Sequence, residues 1–313
     1  MTQPTYISAS SIERIMSCGR RDDFERVQGW ATPDANWDLD FGRRYHAGVA
    51  VVDQFIAKAG ASPASWHQAG RLGLTVALDN VAASPLYQST DKAKRPYTLA
   101  RAIAWYAAAR EEGKLPLEIG EAPAGNGPGL EVAWAVPLPE WPEVMAVGVA
   151  DALPVRVGNA NYILERKTSG SAPGESYYRK MALGPQVTLS TLAARTLWPE
   201  LDIAGVLVEV CQTGVGYARW HRSVIDLDPD AVTEQAGWLS WWLRRHTEWV
   251  ETLGVAPPNF ASCMLCPFKP ICTAPPRMRQ ALLKSAYVQT PQVPRDIVAL
   301  ARFKPGFSTL GAP

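Results

Sequence analysis

The sequence predicts an α/β fold in which helices flank a central mixed β-sheet. Short runs rich in Val, Ile and Leu that end at Gly, Asn or Pro are typical of strands. Longer segments with apolar residues every three or four positions are typical of helices. The chain has 313 residues, of which 47% are hydrophobic, and this is enough to bury a sizeable core. We therefore expect one sheet of about five strands.

Helices are expected in the N-terminal third of the chain. Ser8 or Ser10 is placed to cap a first short helix. A second helix is expected from Phe41 to Ala59, because its apolar residues form one stripe along it. Two more helical segments follow, and we expect them to form a helical insertion spanning residues 60–128.

The strands of the sheet are expected to begin after this insertion. Leu130–Val136 reads as the first clear strand. Two further apolar runs, Met145–Val157 and Asn161–Lys167, are separated by a short segment that begins with Gly158. This pattern predicts a hairpin of two antiparallel strands with the Gly-Asn segment as its turn.

Helices and strands are expected to alternate after the hairpin. The predicted elements are a helix over Ser176–Trp198 interrupted near Gly184, strands over Ile203–Cys211 and Tyr217–Ile225, and a helix that starts after Asp228 and ends at Leu253. The last helix carries four tryptophans, which we expect mainly in the core because of their spacing.

Two acidic residues and a lysine are expected to converge at one end of the hairpin. Asp151 lies in the first strand, and Glu165 and Lys167 end the second. Because side chains alternate along a strand, Arg166 points away from the acids, and its replacement is expected to be mild. Two carboxylates can hold a divalent cation, and a lysine beside them can orient a water molecule or stabilise negative charge. An exposed hairpin end with an ordinary ion pair is the alternative interpretation.

Three of the five cysteines lie close together near the C-terminal end. Cys263, Cys266 and Cys272 form a C-x2-C-x5-C motif, one thiol short of a four-ligand site. Cys18 is the plausible fourth ligand, because Cys211 lies in an apolar strand and is expected to be a buried thiol. Four thiolates suit an iron–sulfur cluster or a zinc ion. Four unrelated reduced thiols are the alternative.

Composition and charge limit the classes of function. The net charge is +1, so any nucleic-acid site must be a local feature of the surface. No run of about 18 apolar residues is present, so we expect no membrane span. The polar N-terminal sequence does not resemble a signal peptide, which predicts a cytoplasmic location with reduced cysteines.

Six segments of the chain resemble, in order, the motifs of the RecB-like branch of the PD-(D/E)XK nuclease superfamily. They are S-A-S-S-I-E-R-I-M-S-C from Ser8, G-R-R-Y-H ending at His46, G-V-A-D ending at Asp151, I-L-E-R-K-T around Glu165, the glutamine Gln186, and the three C-terminal cysteines. Within this branch the sequence resembles the CRISPR-associated Cas-four exonucleases and the iron–sulfur nuclease domains of AddB-type enzymes. Ser190 and Gly19 depart from the pattern, since the family has a tyrosine and a proline at these places.

The resemblance implies a restriction-endonuclease-like core with a metal-dependent active site. The implied ligands of Mg2+ or Mn2+ are His46, Asp151, Glu165 and the backbone carbonyl of Arg166. The implied catalytic residues are Asp151, Glu165, Lys167 and Gln186. In this scheme Lys167 helps to place or deprotonate the attacking water, and Gln186 steadies Lys167 or a phosphate. Cys18, Cys263, Cys266 and Cys272 would hold one [4Fe–4S] cluster that joins the two ends of the chain.

The implied function is a DNA exonuclease that hydrolyses phosphodiester bonds, on single-stranded ends. Its partners would be DNA and a helicase, a recombination protein or a CRISPR-adaptation protein. The expected domain plan is one nuclease domain over residues 1–287, with an iron–sulfur clasp at 1–30 and 255–280, and a peripheral tail at 288–313. The alternatives are a non-catalytic DNA-binding or assembly subunit that keeps the nuclease fold, and a zinc-stabilised scaffold.

Overall fold

The computed structural model of the protein describes residues 5–33, 36–123, 125, 127–253, 256–264, 266–289 and 308–309. The strands in these ranges are β1 Thr5–Ser8, β2 Trp30–Ala31, β3 Glu118–Ile119, β4 Leu130–Leu138, β5 Trp141–Val157, β6 Ala160–Ser169, β7 Ile203–Thr213, β8 Ala218–Asp226, β9 Val288–Gln289 and β10 Ser308–Thr309. The α-helices are α1 Ala9–Ser17, α2 Gly19–Asp22, α3 Trp37–Ala59, α4 Pro63–Leu78, α5 Pro96–Glu111, α6 Glu175–Ala182, α7 Pro185–Leu197, α8 Pro229–Leu253, α9 Lys269–Thr273 and α10 Pro276–Ala286.

A mixed sheet of eight described strands forms the centre of the fold. Its main path follows the order β10-β4-β5-β6-β7-β8, and both β1 and β3 pair with β5. The pairs β6–β7 and β1–β5 are parallel, whereas β4–β5, β5–β6 and β7–β8 are antiparallel. The predicted α/β class with a central mixed sheet is therefore confirmed. The five long strands, β4 to β8, are those expected from the sequence.

The hairpin of β5 and β6 opens into a fork at the end away from its turn. Gly158 begins the turn with a φ of +59°, which glycine adopts without the steric cost of a side chain. The pair Ala152 and Leu164 is the last cross-strand pair before the strands separate. Beyond the fork β5 pairs with β1 over Val144–Val147, while β6 pairs with β7 as far as Ser169.

Helices cover both faces of the sheet. On one face, α3, α4 and α5 form an apolar layer that includes Phe41 and Leu99. On the other face, α1, α7 and α8 pack on the sheet through residues such as Ile12, Val187 and Leu239. The fork between β5 and β6 therefore lies between two helical layers, with α3 on one side and the start of α7 on the other.

Two local predictions are refined by the structure. Ser8, rather than Ser10, caps α1, because its hydroxyl accepts a hydrogen bond from the N–H of Ser11 at 3.3 Å. Trp238 and Trp241 of α8 are 61% and 55% exposed. The expectation of core positions is therefore wrong for these two tryptophans.

The structure describes only part of the residues that the predicted domain plan covers. The expected tail over 288–313 lies outside the described residues except for 288–289 and 308–309. The single nuclease domain over 1–287 and the insertion at 60–128 stay predictions. No helix in the described ranges is long and apolar enough to cross a membrane.

Close packing between β4 and β5 gives a first testable prediction. A Cβ atom added at Gly148 would lie 2.2 Å from the ring of Trp134, which is buried. Gly148→Ala should therefore displace this ring and lower the free energy of unfolding by about 1–3 kcal/mol, as measured by urea denaturation.

The matched control is Gly237→Ala in α8, where no described heavy atom lies within 4 Å of an added Cβ. Because alanine favours helices over glycine, this variant should gain up to about 1 kcal/mol. Equal stability changes in Gly148→Ala and Gly237→Ala would contradict the packing argument.

Candidate active site

Asp151 occupies the fork between β5 and β6 and bonds to both neighbouring elements. Its Oδ2 accepts a hydrogen bond from the backbone N–H of Arg166 at 2.6 Å. Its Oδ1 lies 2.7 Å from Nδ1 of His46, which is on α3 and 105 residues away in sequence. An ionised carboxylate can only accept, so the His46 nitrogen is the donor. Asp151 thus fixes α3 against the end of β6.

Glu165 and Lys167 share one face of β6, as strand alternation predicts. The Lys167 Nζ lies 2.7 Å from Glu165 Oε1 and donates to Gln186 Oε1 at 2.8 Å. The Gln186 Nε2 donates to Glu165 Oε1 at 2.7 Å. Gln186 stands in the first turn of α7, so this triangle of hydrogen bonds connects β6 to the second helical layer.

The two carboxylates are buried close enough to influence each other. Burial raises the pKa of Glu165; Lys167 opposes this effect and Asp151 adds to it, so the pKa lies above its ordinary value. Burial also acts to raise the pKa of Asp151, but His46 and then Arg166 outweigh it and hold the pKa below its ordinary value. The site therefore keeps one firmly ionised acid beside another that is harder to ionise.

Two basic side chains face these acids. Burial alone would lower the pKa of Lys167, but Glu165 and Asp151 raise it above its ordinary value. Burial would likewise lower the pKa of His46, and the carboxylate of Asp151 raises it instead. Both shifts favour the hydrogen bonds that Lys167 and His46 donate to the acids. A bound metal ion would reverse this effect at His46, because only the neutral imidazole can be a ligand.

The donor set fits a hard divalent cation. Carboxylate and carbonyl oxygens are the ligands that Mg2+ and Mn2+ prefer, and two buried carboxylates favour a cation between them. Within the described ranges, no three His, Cys, Asp or Glu side chains stand in an arrangement that would hold an ion. Each carboxylate is instead engaged by protein donors, so binding an ion would exchange some of these hydrogen bonds for ligand bonds.

Arg166 points away from the acids, but its side chain enters a buried network and not solvent. It is only 1% exposed. Its Nη2 donates to Asp53 of α3 at 2.5 Å and to the hydroxyl of Tyr106 of α5 at 2.8 Å. Its Nε donates to Glu209 of β7 at 3.2 Å. Because both carboxylates are buried and share this cation, we now expect a strong effect of replacing Arg166 on stability, in place of the mild one.

Sequence reasoning also missed a tyrosine beside the predicted site. Tyr177 of α6 is half-buried, and burial raises its pKa while the ammonium of Lys167 lowers it. It therefore lies within electrostatic range of Lys167. The sequence places Tyr177 in a short polar helix, and nothing in its spacing connects it to β6. Ser190, where the resembled family has a tyrosine, is buried in α7.

The predicted cysteine ligands lie where the two ends of the chain meet. The backbone N–H of Asn259 contacts the Sγ of Cys18 at 3.4 Å, and the Sγ of Cys263 contacts the Asn259 carbonyl oxygen at 3.6 Å. The side-chain amide of Asn259 donates to the carbonyl oxygen of Ser17 at 2.8 Å. Cys266 packs beside these residues against an apolar cluster of the same region.

Three of the predicted thiols act electrostatically on the fourth, Cys272. Burial raises the pKa of Cys272; the cation of Arg20 opposes this rise, and the thiols of Cys18, Cys266 and Cys263 add to it. Four thiols in one neighbourhood, beside a cation and an apolar cluster, fit the donor set of a thiolate-bound metal group.

Cys211 lies apart from this group, as predicted. It is fully buried in β7, and burial is the main reason that its pKa is raised to about 12. A thiol with such a pKa stays protonated near neutral pH and is a poor metal ligand.

Comparison with known families identifies the class of protein. The sequence profile of the PD-(D/E)XK nuclease superfamily matches residues 6–273, which is most of the chain. The protein therefore belongs to the PD-(D/E)XK nuclease superfamily. The matched range includes His46, Asp151, Glu165, Lys167 and Gln186.

Two solved structures are similar to this chain at low sequence identity. A candidate exonuclease from Eubacterium rectale shares 13% identity, with 83% of this chain and 86% of that chain covered and a TM-score of 0.46. A protein named SSO0001 shares 12% identity, with 87% and 88% covered and a TM-score of 0.34. A search of curated protein sequences finds no match.

The Arg166 network gives a second prediction. Arg166→Ala should lower the free energy of unfolding by about 3–5 kcal/mol in urea denaturation, because it removes a buried cation that two buried carboxylates share. Among the described cations, Asp53 would keep only Arg110 at 3.4 Å, and Glu209 would keep only Arg222 at 2.6 Å. Arg179→Ala serves as the control, since Arg179 and its partner Glu175 are both exposed. That control should change stability by less than about 1 kcal/mol. A loss as small for Arg166→Ala as for the control would refute the role of the network.

Proposed function

We propose that the protein is a metal-dependent DNA exonuclease that hydrolyses phosphodiester bonds at single-stranded ends in the cytoplasm. The main support is the convergence of Asp151, Glu165 and Lys167 in the fork between β5 and β6. Membership of the nuclease superfamily gives the reaction class. The exonuclease mode and the preference for single strands belong to the proposal.

Asp151 and Glu165 would bind Mg2+ or Mn2+, with His46 and the backbone carbonyl of Arg166 as further ligands. A metal ion in this position polarises the scissile phosphate and lowers the pKa of a bound water molecule. The protein's contribution is to keep two carboxylates together in a largely buried place. The backbone of β6 and the imidazole of α3 hold Asp151, and Gln186 holds Glu165.

In the proposed reaction Lys167 acts as a fixed positive charge and hydrogen-bond donor. Its raised pKa favours the ammonium form, and its contacts with Glu165 and Gln186 hold the Nζ beside the acids. An ammonium group in this place stabilises the negative charge that develops on the phosphate, and it can donate a hydrogen bond to the attacking water. Gln186 orients both partners from the first turn of α7.

We further propose that Cys18, Cys263, Cys266 and Cys272 bind one [4Fe–4S] cluster, the form that four thiolates commonly hold. The contacts of Asn259 with Ser17, Cys18 and Cys263 support this assignment, because they already bring both chain ends together. The proposed role of the cluster is to stabilise this junction. It has no part in the hydrolysis.

The proposed chemistry predicts that Asp151→Asn, Glu165→Gln and Lys167→Met each lower the cleavage rate by at least about 100-fold. The two acid variants lose metal ligands, and the lysine variant loses a fixed charge. Single-stranded DNA binding should change little, because the surrounding surface is intact. The measurement is a gel assay with Mn2+ and strands labelled at the 5′ or the 3′ end, which also reports polarity.

The matched control is Glu175→Gln, which removes an exposed carboxylate of α6 that pairs with Arg179. It should cleave DNA like the wild-type protein. Cleavage that persisted in Asp151→Asn or Lys167→Met would place the catalytic site elsewhere. Internal cleavage of circular single strands would show an endonuclease and overturn the exonuclease mode.

The cysteine assignment predicts the metal content of purified protein. Replacing any one of Cys18, Cys263, Cys266 or Cys272 with Ala should remove most of the iron, the sulfide and the brown colour, and should lower stability. Cys211→Ala is the control and should keep the iron, because Cys211 lies in β7. Full iron content in Cys18→Ala would exclude Cys18 as the fourth ligand, and zinc in place of iron would exclude the cluster.

A further inference from the structure

Lys94 is a buried lysine that lies beside the catalytic strand. It is only 5% exposed, and its Nζ donates to Thr168 Oγ1 at 3.3 Å. Thr168 directly follows Lys167 on β6. The Nζ of Lys94 also lies 4.5 Å from the centre of the Phe41 ring, in the first turns of α3. Because side chains alternate along β6, Thr168 shares the face of Arg166 and lies opposite Lys167. Lys94 therefore places a positive charge at the end of β6 on the side of α3, the side from which His46 reaches Asp151.

Nothing in the described protein neutralises this charge at short range. Burial lowers the pKa of Lys94, and the carboxylates of Asp38 and Asp91 raise it only partly. Neither acid forms an ion pair with it, and no other described carboxylate does so. A buried ammonium of this kind gains from a bound anion. Thr168 is only half-buried, so solvent reaches its side of this pair.

The helix α5 begins two residues after Lys94, and one of its faces carries aromatic and cationic side chains in alternation. Tyr97, Arg101 and Trp105 stand four residues apart and therefore line one side of the helix. The guanidinium of Arg101 lies 5.7 Å from the ring centre of each of the two aromatic residues. Tyr97 is 44% and Trp105 43% exposed, although both are large. We call Lys94, Tyr97, Arg101 and Trp105 the α5 strip.

The α5 strip is preorganised by contacts on both sides. The Arg101 guanidinium donates to the carbonyl oxygen of Val215 in the turn between β7 and β8. The Tyr97 hydroxyl donates to the carbonyl oxygen of Lys92 at 3.2 Å. Side chains held in this way lose little conformational freedom when they bind a ligand.

The charged side chains of the segment that contains Lys94 and the start of α5 are all positive. From Lys92 to Arg101 the chain carries four cationic residues and no acidic residue. The overall net charge of the protein is only +1, so this local excess stands out from the average. Cationic groups interleaved with exposed aromatic rings suit a single-stranded nucleic acid, whose phosphates bind the cations while its bases stack on the rings.

The other exposed aromatic face differs in charge. Trp238 and Trp241 lie on α8, which carries four acidic residues and two arginines. Arg245 of this helix is already paired with Glu248 at 3.0 Å. Its aromatic residues are therefore not matched to a polyanion.

We propose that the α5 strip is the path along which a single strand of DNA leaves the active site. This inference rests on the nuclease function proposed above. A phosphate close to the scissile one contacts Lys94 and Thr168, the next phosphates contact Arg101, and unpaired bases stack on Tyr97 and Trp105. The two rings are eight residues apart on one helix, or roughly 12 Å along its axis, which a few nucleotides can span.

The test measures binding of a labelled oligothymidylate of about 12 nucleotides to full-length protein in which Glu165→Gln prevents cleavage. Trp105→Ala and Tyr97→Ala should each weaken binding by about tenfold, because each removes a stacking partner. Neither should change the salt dependence. An oligonucleotide with abasic sites should bind equally well to Trp105→Ala and to its parent.

Lys94→Gln should instead reduce the slope of log affinity against log salt by about 0.7, as expected for one lost phosphate contact on a single strand. Because Lys94 is buried, the melting temperature of the Lys94→Gln variant must be compared with that of the Glu165→Gln parent. If Lys94→Gln unfolds, Arg101→Gln provides the same measurement from a half-buried position. The control is Trp238→Ala, which removes a more exposed tryptophan and should leave binding unchanged.

Unchanged binding in both Trp105→Ala and Tyr97→Ala would overturn the proposed path, as would an equal loss in Trp238→Ala. These outcomes are separable from a failure of the nuclease assignment. If the wild-type protein cleaves DNA and the α5 variants bind it as tightly as their parent, the nuclease assignment stands and the proposed path is rejected. If the wild-type protein does not cleave DNA but the α5 variants lose binding as expected, the proposed path stands and the nuclease assignment is rejected.

Discussion

The guanidinium of Arg166 is the interaction on which the arrangement of the site depends. It is buried and joins α3, α5 and β7 through Asp53, Tyr106 and Glu209. Its own backbone N–H holds the carboxylate of Asp151. The residues on either side of it, Glu165 and Lys167, point to the opposite face of the strand. One residue therefore anchors β6 in the core with its side chain and positions the acidic site with its main chain. Such an anchor is costly to bury, and it is stable only because every partner is in place.

The fork between β5 and β6 gives the acids their position. A continuous ladder would pair the Arg166 N–H with a carbonyl of β5, whereas here a side-chain carboxylate takes that place. The departure of β5 towards β1 leaves space at the middle of the sheet, between two helical layers. His46 enters this space from one layer and Gln186 from the other. The resulting site is buried, and its two acids face the basic side chains of Lys167 and His46.

The sequence allowed much of this to be predicted, because strand alternation and turn residues are local properties. The hairpin, its turn at Gly158 and the shared face of Glu165 and Lys167 all follow from spacing alone. The partners of Arg166 could not be predicted, since Asp53 is 113 residues away and nothing local shows which polar groups meet in a core. The same limit applies to Tyr177, which belongs to α6 and yet lies within electrostatic range of Lys167 on β6. The exposed tryptophans of α8 show a further limit, since helical periodicity identifies a face but does not show whether another element covers it.

The contacts of Asn259 also have a consequence for the order of events during synthesis. Asn259 bonds to Cys18 across 241 residues, and β1 and α1 pack on strands and helices that lie in the middle and the last third of the chain. At about 5–20 residues per second, a ribosome needs roughly 10–50 s to make the segment between these two residues. The first helix therefore leaves the ribosome long before its partners exist. Its apolar face and the Cys18 thiol that follows it must wait unpaired, so we expect β1 and α1 to complete their packing late, although they are made before their partners.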